Sequence, residues 1–189
     1  MTDPTLTFAT PQAWEAWLEQ HGGSCAGVWL RLAKKSADAP TVTYAQAVDS
    51  ALCHGWIDGQ KQAESAHYWL QRFTPRGARS LWSQTNKQKA EALIASGRMR
   101  PAGLQAIQRA REDGRWEAAY APASTAAVPE DLQRALNAHP TALQFFATLT
   151  SRNRYAILFR LQNAKKPETR ARKIAEFVEM LGRGETLYP

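Results

Sequence analysis

Cysteine is scarce: the 189-residue chain holds two, Cys25 and Cys53. They lie too far apart to read as a redox or zinc pair, and two thiols without a secretory start are expected to stay reduced and unpaired. No apolar run approaches the ~18–20 residues that cross a bilayer, and the opening MTDPTLTFATPQAW lacks the basic-then-apolar pattern of an export signal. A cytoplasmic setting is the expectation. The four histidines, His21, His54, His67 and His139, sit in unrelated settings, so no metal site is expected. Nucleophile–base pairs and phosphate-loop patterns are missing too, and no cofactor is expected.

What is present is a foldable chain. An apolar fraction of 44% with 22% charged residues is ordinary for a globular protein, and seven tryptophans are too many for a disordered one. The length suits one domain or two small ones with a core that needs no disulfide. Acidic residues are short in one place. Residues 71–116 carry ten Lys and Arg against three Asp and Glu, whereas residues 1–70 carry four against seven. Much of the net charge of +7 therefore starts at Arg72, where an anionic partner or a solvated basic surface would each account for it.

The apolar pattern divides the chain. Trp14, Trp17 and Leu18 at i, i+3, i+4 after Pro11 predict a first helix ending at Gly22-Gly23. Val28, Leu30 and Leu32 alternate with Trp29, Arg31 and Ala33 as in a half-buried strand. Thr43-Tyr-Ala-Gln46 is a capping box, so a helix should start there and stop at a left-handed Gly55. Trp56–Gln62 and Ala66–Phe73 then predict two antiparallel strands, which with Val28–Ala33 would form a three-stranded antiparallel sheet. Ser80 or Ser83 can cap a helix running to Gly97 with Trp82 on its apolar side, and Pro101 opens another that carries Leu104, Ile107 and Ala110 inward to Gly114. Prolines 129, 140 and 167 mark further starts, giving helices near 129–138, 140–149, 151–164 and 167–182. In the last of these, Ala171, Ile174, Val178 and Leu181 make an apolar seam. The expected fold is α+β and mostly helical: an α+β unit over residues 1–116, a linker or surface loop over 117–128, and a helical unit over 129–189.

Site-like composition concentrates between Thr43 and Asn86, in GWIDG (Gly55–Gly59) and RFTPRGARSLWSQTN (Arg72–Asn86). Asp58, an acid at the start of a strand, is disfavoured by strand propensity and calls for a partner. Arg72, Arg76 or Arg79 would satisfy it, either as a structural ion pair or as a carboxylate orienting an arginine beside a bound anion. Ser80, Ser83 and the helix start offer hydroxyls and free N–H groups to that anion, with Asn86 one turn on. Trp56 and Trp82, with Trp69, would wall a pocket or pack in the core. Cys53 and His54 do not form a nucleophile and base, because adjacent helical residues point about 100° apart.

The strings ALCHGWIDGQ, YWLQRFTPRGARSLWSQTN, SGRMRPAGL and NRYAILFRLQNAKKPETRARKIAEFVEMLGRGE closely resemble the bacterial YdeI/OmpD-associated family, also labelled bacteriocin-protection proteins. The resemblance extends over nearly the whole chain, with His54 standing where the family often has an aromatic. It implies a stress-protective, non-catalytic binding protein with a small anionic ligand or a protein as partner. Two other readings stay open: an enzyme of hydrolysis or group transfer using Asp58 with the arginines, and nucleic-acid binding through the basic face.

Overall fold

Thr43 and Gln46 begin the helix on which the first half of the chain is assembled. In the computed structural model, which describes residues 3–37 and 39–189, Thr43 Oγ1 accepts the Gln46 N–H at 3.3 Å and Gln46 Oε1 accepts the Thr43 N–H at 3.0 Å. The chain divides into two compact units, with the boundary between Ala119 and Tyr120. The first contains β1 (Thr5–Leu6), α1 (Pro11–His21), β2 (Val28–Ala33), α2 (Tyr44–Cys53), β3 (Trp56–Ala63), β4 (Tyr68–Pro75), α3 (Gln84–Ala95) and α4 (Pro101–Glu112). Helix α2 touches α1, β3, α3 and α4. It stops at Gly55, whose φ of +73° only glycine adopts without strain, and a Cβ there would sit 2.7 Å from the Ala102 carbonyl oxygen.

The sheet is four-stranded and mixed, not three-stranded and antiparallel. Its order is β1-β2-β4-β3, with β1 parallel to β2 and the other pairs antiparallel. Two paired residues, Thr5 and Leu6, are too few to show a period-2 pattern, so the extra strand has no signature in the sequence. Along β2 the alternation holds: Val28, Leu30 and Leu32 are buried, and Trp29, Arg31 and Ala33 are half-exposed. The buried face meets Trp14, Leu18, Val48, Leu52, Trp56 and Phe73 in one core. Trp14 Nε1 donates to the Ala47 carbonyl at 3.2 Å and Trp56 Nε1 to that of Gly22 at 3.3 Å, the usual arrangement for a buried ring N–H.

Two helix details differ from the sequence reading. Ser83 is the N-cap of α3 and accepts the Asn86 N–H at 3.1 Å, whereas Ser80 belongs to a turn in which its Oγ accepts from the Gly77 N–H. Trp82 therefore precedes the helix and does not ride on it. In α4, Leu104 points outward at 46% exposure while Gly103, Ala106, Ile107 and Ala110 are buried. The close packing of Gly103 against the end of α2 sets that rotation, and the next residue in a helix turns about 100° away.

The second unit is built from α5 (Glu130–Asn137), α6 (Pro140–Thr148), α7 (Ser151–Gln162) and α8 (Pro167–Gly182). Leu132, Leu136, Phe146, Ile157, Leu161, Phe177 and Leu181 are among the residues of its core, and α8 touches each of the other three helices. Ala171 is exposed, and the seam of α8 is Ile174, Phe177, Val178 and Leu181. Within the stretch 117–128, Ala119 packs into the first core, and Ala126 and Val128 pack against the second.

Arg170 ties three of these helices together. Its guanidinium donates to both Asp131 carboxylate oxygens at 2.6 and 2.9 Å and to the Leu161 carbonyl at 2.6 Å. The Arg170 hydrogen bond, opposed by burial and helped by the Leu132 N–H, holds the Asp131 carboxyl below the usual aspartate range. A depressed folded-state pKa means stability that is fully present above the unfolded value of about 3.9 and is lost as pH falls through the folded one. Both groups are partly exposed, so Arg170→Met is expected to cost only about 1 kcal/mol at neutral pH. In thermal melts from pH 7 downward, the gap between wild type and variant should close below the Asp131 pKa. Equal melting temperatures at pH 7 would show that the pair contributes nothing.

Candidate binding groove

The residues singled out between Trp56 and Asn86 do not converge on one ligand. Asp58 accepts the Tyr44 hydroxyl at 2.7 Å, not an arginine. Strand register explains this: Asp58 lies opposite Phe73 in the β3–β4 pair, so it shares the face on which Phe73 enters the core, while Arg72, one residue before Phe73, points to the other face. Arg72 donates to Asp3 Oδ2 at 2.7 Å. Arg76 is buried, with its Nη1 donating to the Leu81 carbonyl at 3.2 Å and its guanidinium stacked 3.6 Å from the centre of the Trp82 ring. Arg79 is exposed and Asn86 half-buried. The Ser83 hydroxyl caps α3, as the Ser80 hydroxyl closes its turn, and both are thereby engaged in the backbone. Trp56 and Trp82 are core residues at 1% and 2% exposure.

Cys53 and His54 likewise serve the fold. Burial pushes the Cys53 thiol upward, away from thiolate, and both cysteines are free. The Ser50 carbonyl accepts from His54 Nδ1 at 2.8 Å, so Nδ1 carries the proton and the ring is fixed at the end of α2. No group of three His, Cys, Asp or Glu capable of holding a metal occurs among the described residues.

A groove of about 670 Å³ lies instead in the second unit, on a face of α7 that its core does not use. Asn153, Ala156, Ile157, Leu158 and Leu161 turn α7 inward. The residues between them, Ser151, Arg152, Tyr155, Phe159 and Arg160, line the groove together with Ala156, and Tyr120, Ala123 and Tyr188 complete it. Positions 152, 155, 159 and 160 are spaced i, i+3, i+7, i+8, which places them on one side of a helix.

Each wall is held in place. The Tyr155 hydroxyl donates to the Ala121 carbonyl at 2.9 Å, and burial pushes its phenol upward. Tyr120 and Phe159 meet edge-to-face, 4.9 Å between ring centres. The buried Asn153 side chain reads the backbone of Tyr188 twice, Nδ2 donating to its carbonyl at 3.0 Å and Oδ1 accepting its N–H at 2.9 Å. That anchor brings the Tyr188 ring beside two cations. The Arg152 guanidinium lies 4.4 Å and that of Arg160 5.6 Å from the ring centre, and Arg160 Nη2 donates to the phenol oxygen at 3.3 Å. The Arg160 hydrogen bond and charge, with Arg152 adding to them, pull the Tyr188 phenol below its usual pKa. Among the described residues, no side-chain carboxylate, imidazole or thiol lines the groove.

A family model described as a domain of unknown function, DUF8412, matches residues 6–106, more than half of the chain. The chain belongs to that family. The model described as "Bacteriocin-protection, YdeI or OmpD-Associated" matches residues 125–184, which hold all four helices of the second unit and most of the groove. That match is narrower than the near-complete resemblance suggested by the sequence strings, because the first unit answers to a different model. No curated protein and no solved structure matches the chain. No helix among the described residues is long and apolar enough to cross a membrane.

Sequence reasoning passed over the groove for a physical reason. In RNRYAILFR the apolar residues Ala156, Ile157 and Leu158 dominate the pattern, and the cationic-aromatic side of α7 becomes visible only when read as a second stripe. Tyr188 lies 28 residues beyond Arg160, a pairing that helical spacing cannot show.

Proposed function

We propose that this protein is a non-catalytic binding protein that takes a small anionic ligand in the α7 groove. The observation that carries this reading is the pair of guanidiniums, Arg152 and Arg160, set on one tyrosine ring in a groove without acidic residues. Its volume falls within the ~300–1,000 Å³ typical of small-molecule sites, and its mixture of aromatic walls with a few polar groups is the usual composition of such sites. Among the described residues the lining holds no His, Cys, Asp or Glu side chain, which favours binding over catalysis. Because Arg72 and Arg76 are engaged within the first unit, we place the ligand on α7 and not beside Asp58. The bacteriocin-protection label of the family model matched by residues 125–184 supports a protective role for the bound state.

Calorimetry with inorganic phosphate and benzoate, at low salt, tests this reading. Removing two charge-assisted contacts should weaken anion binding by at least roughly tenfold in the Arg152→Ala, Arg160→Ala double variant. Equal affinities for wild type and variant, or no binding by the wild type, would overturn it.

A further inference from the structure

The groove has two chemically different ends, and they point to a ligand with two matching parts. At one end Arg152, Arg160 and Tyr188 form a cationic corner. Arg160 Nη2 donates to the Tyr188 oxygen, so the phenol acts as acceptor in that contact, and among the described residues no acceptor takes its own O–H. That proton is available to an oxyanion that the guanidiniums attract. At the other end stand the rings of Tyr120, Tyr155 and Phe159. The Tyr155 hydroxyl is spent on the Ala121 carbonyl, so that end is mainly ring surface, and Ala123 and Ala156 also line the groove with small side chains.

We infer that the groove binds a small, flat aromatic oxyanion, with Arg152 and Arg160 gripping the oxyanion, Tyr188 donating its hydroxyl to it, and the Tyr120, Tyr155 and Phe159 wall stacking on the ring. This rests on the binding reading above and adds to it the ligand class and a specificity-determining hydroxyl. A carboxylate on a benzene ring and a phosphate on a nucleoside share this chemistry. Stacking on aromatic side chains accepts any flat ring, and two guanidiniums serve either anion.

Calorimetry with anthranilate, AMP, anthranilamide and inorganic phosphate, on wild type, Arg160→Ala and Tyr188→Phe, tests the inference. Anthranilate or AMP should bind at least roughly tenfold more tightly than both the neutral amide and phosphate, since each control lacks one of the two parts. Which of the two binds better tells a carboxylate ligand from a phosphate one. Tyr188→Phe keeps the ring and the backbone held by Asn153, so it should fold as wild type and weaken the aromatic oxyanion by about five- to tenfold. If phosphate binds as tightly as anthranilate and AMP, and Arg160→Ala weakens all three, the anion site stands and the aromatic ligand class is overturned. Equal affinities for Tyr188→Phe and wild type overturn the donor role of the hydroxyl. If none of the probes binds the wild type, both readings fall.

Discussion

Trp14→Ala is expected to destabilise the first unit by about 3–5 kcal/mol, the range for deleting a large buried ring, and so to remove much of a typical domain's stability. The indole is fully buried. It lies 5.4 Å from both Phe8 and Trp17, 5.8 Å from Phe73 and 6.3 Å edge-on to Trp56, measured between ring centres. It thus joins α1 to β3, to β4 and to the segment after β1. Its N–H also donates to the Ala47 carbonyl, inside α2. Alanine would leave a cavity between aromatic rings that cannot turn inward to fill it, and would remove one buried donor. Urea unfolding followed by near-ultraviolet circular dichroism measures the loss. A change below about 1 kcal/mol would mean that this cluster is not the keystone of the first core.

Gly103→Ala carries the second large effect, and its direction opposes what helix propensity alone would suggest. Position 103 lies in α4, where alanine is favoured over glycine by about 1 kcal/mol. A Cβ there, however, would come within 2.4 Å of both the Cys53 carbonyl oxygen and Met99 Sδ, and 2.8 Å from the Leu52 carbonyl oxygen. Met99 has a flexible side chain and can move. The two carbonyls belong to the last turn of α2 and cannot, because the Cys53 carbonyl also accepts the Arg100 N–H at 3.1 Å and Gly55 closes the helix directly after it. Separating α4 from α2 would open the contact that buries Ala106, Ile107 and Ala110. Overpacking of this kind typically costs about 1–3 kcal/mol, and with two backbone oxygens under 3.0 Å the upper end applies, so a net loss of about 2 kcal/mol is expected after the propensity gain. A melting temperature equal to or above that of wild type would show that the helices part without cost.

The pairing of Asp58 shows most clearly how far the chain can be read from residues alone. An acid at the head of a strand announces a need for a partner, and the structure supplies one. Which partner it is depends on the face to which each residue points. Alternation within β4 sends Phe73 and Arg72 to opposite sides, and the acid shares the side of Phe73. The nearest arginine in sequence is therefore the wrong one, and the donor role goes to a tyrosine hydroxyl on α2. Arg76 teaches the same lesson through burial. Its charge is stacked on Trp82, in a region where the sequence shows only three arginines in succession.

Local signals were determined by the amino-acid sequence itself. The capping box at Thr43, the left-handed stop at Gly55, the alternation of Val28–Ala33 and the proline-marked helices after residue 129 depend on contacts within a few residues, and each can be read without knowing what lies opposite. Tertiary structure alone decided the rest. It added β1 to the sheet, turned Leu104 outward by fixing Gly103 against α2, and assigned the arginines of residues 72–76 to internal partners. It also formed the α7 groove, by bringing Tyr188 back to Arg152 and Arg160 through the side chain of Asn153. Those outcomes depend on which surfaces meet across dozens of residues, and no local periodicity encodes that.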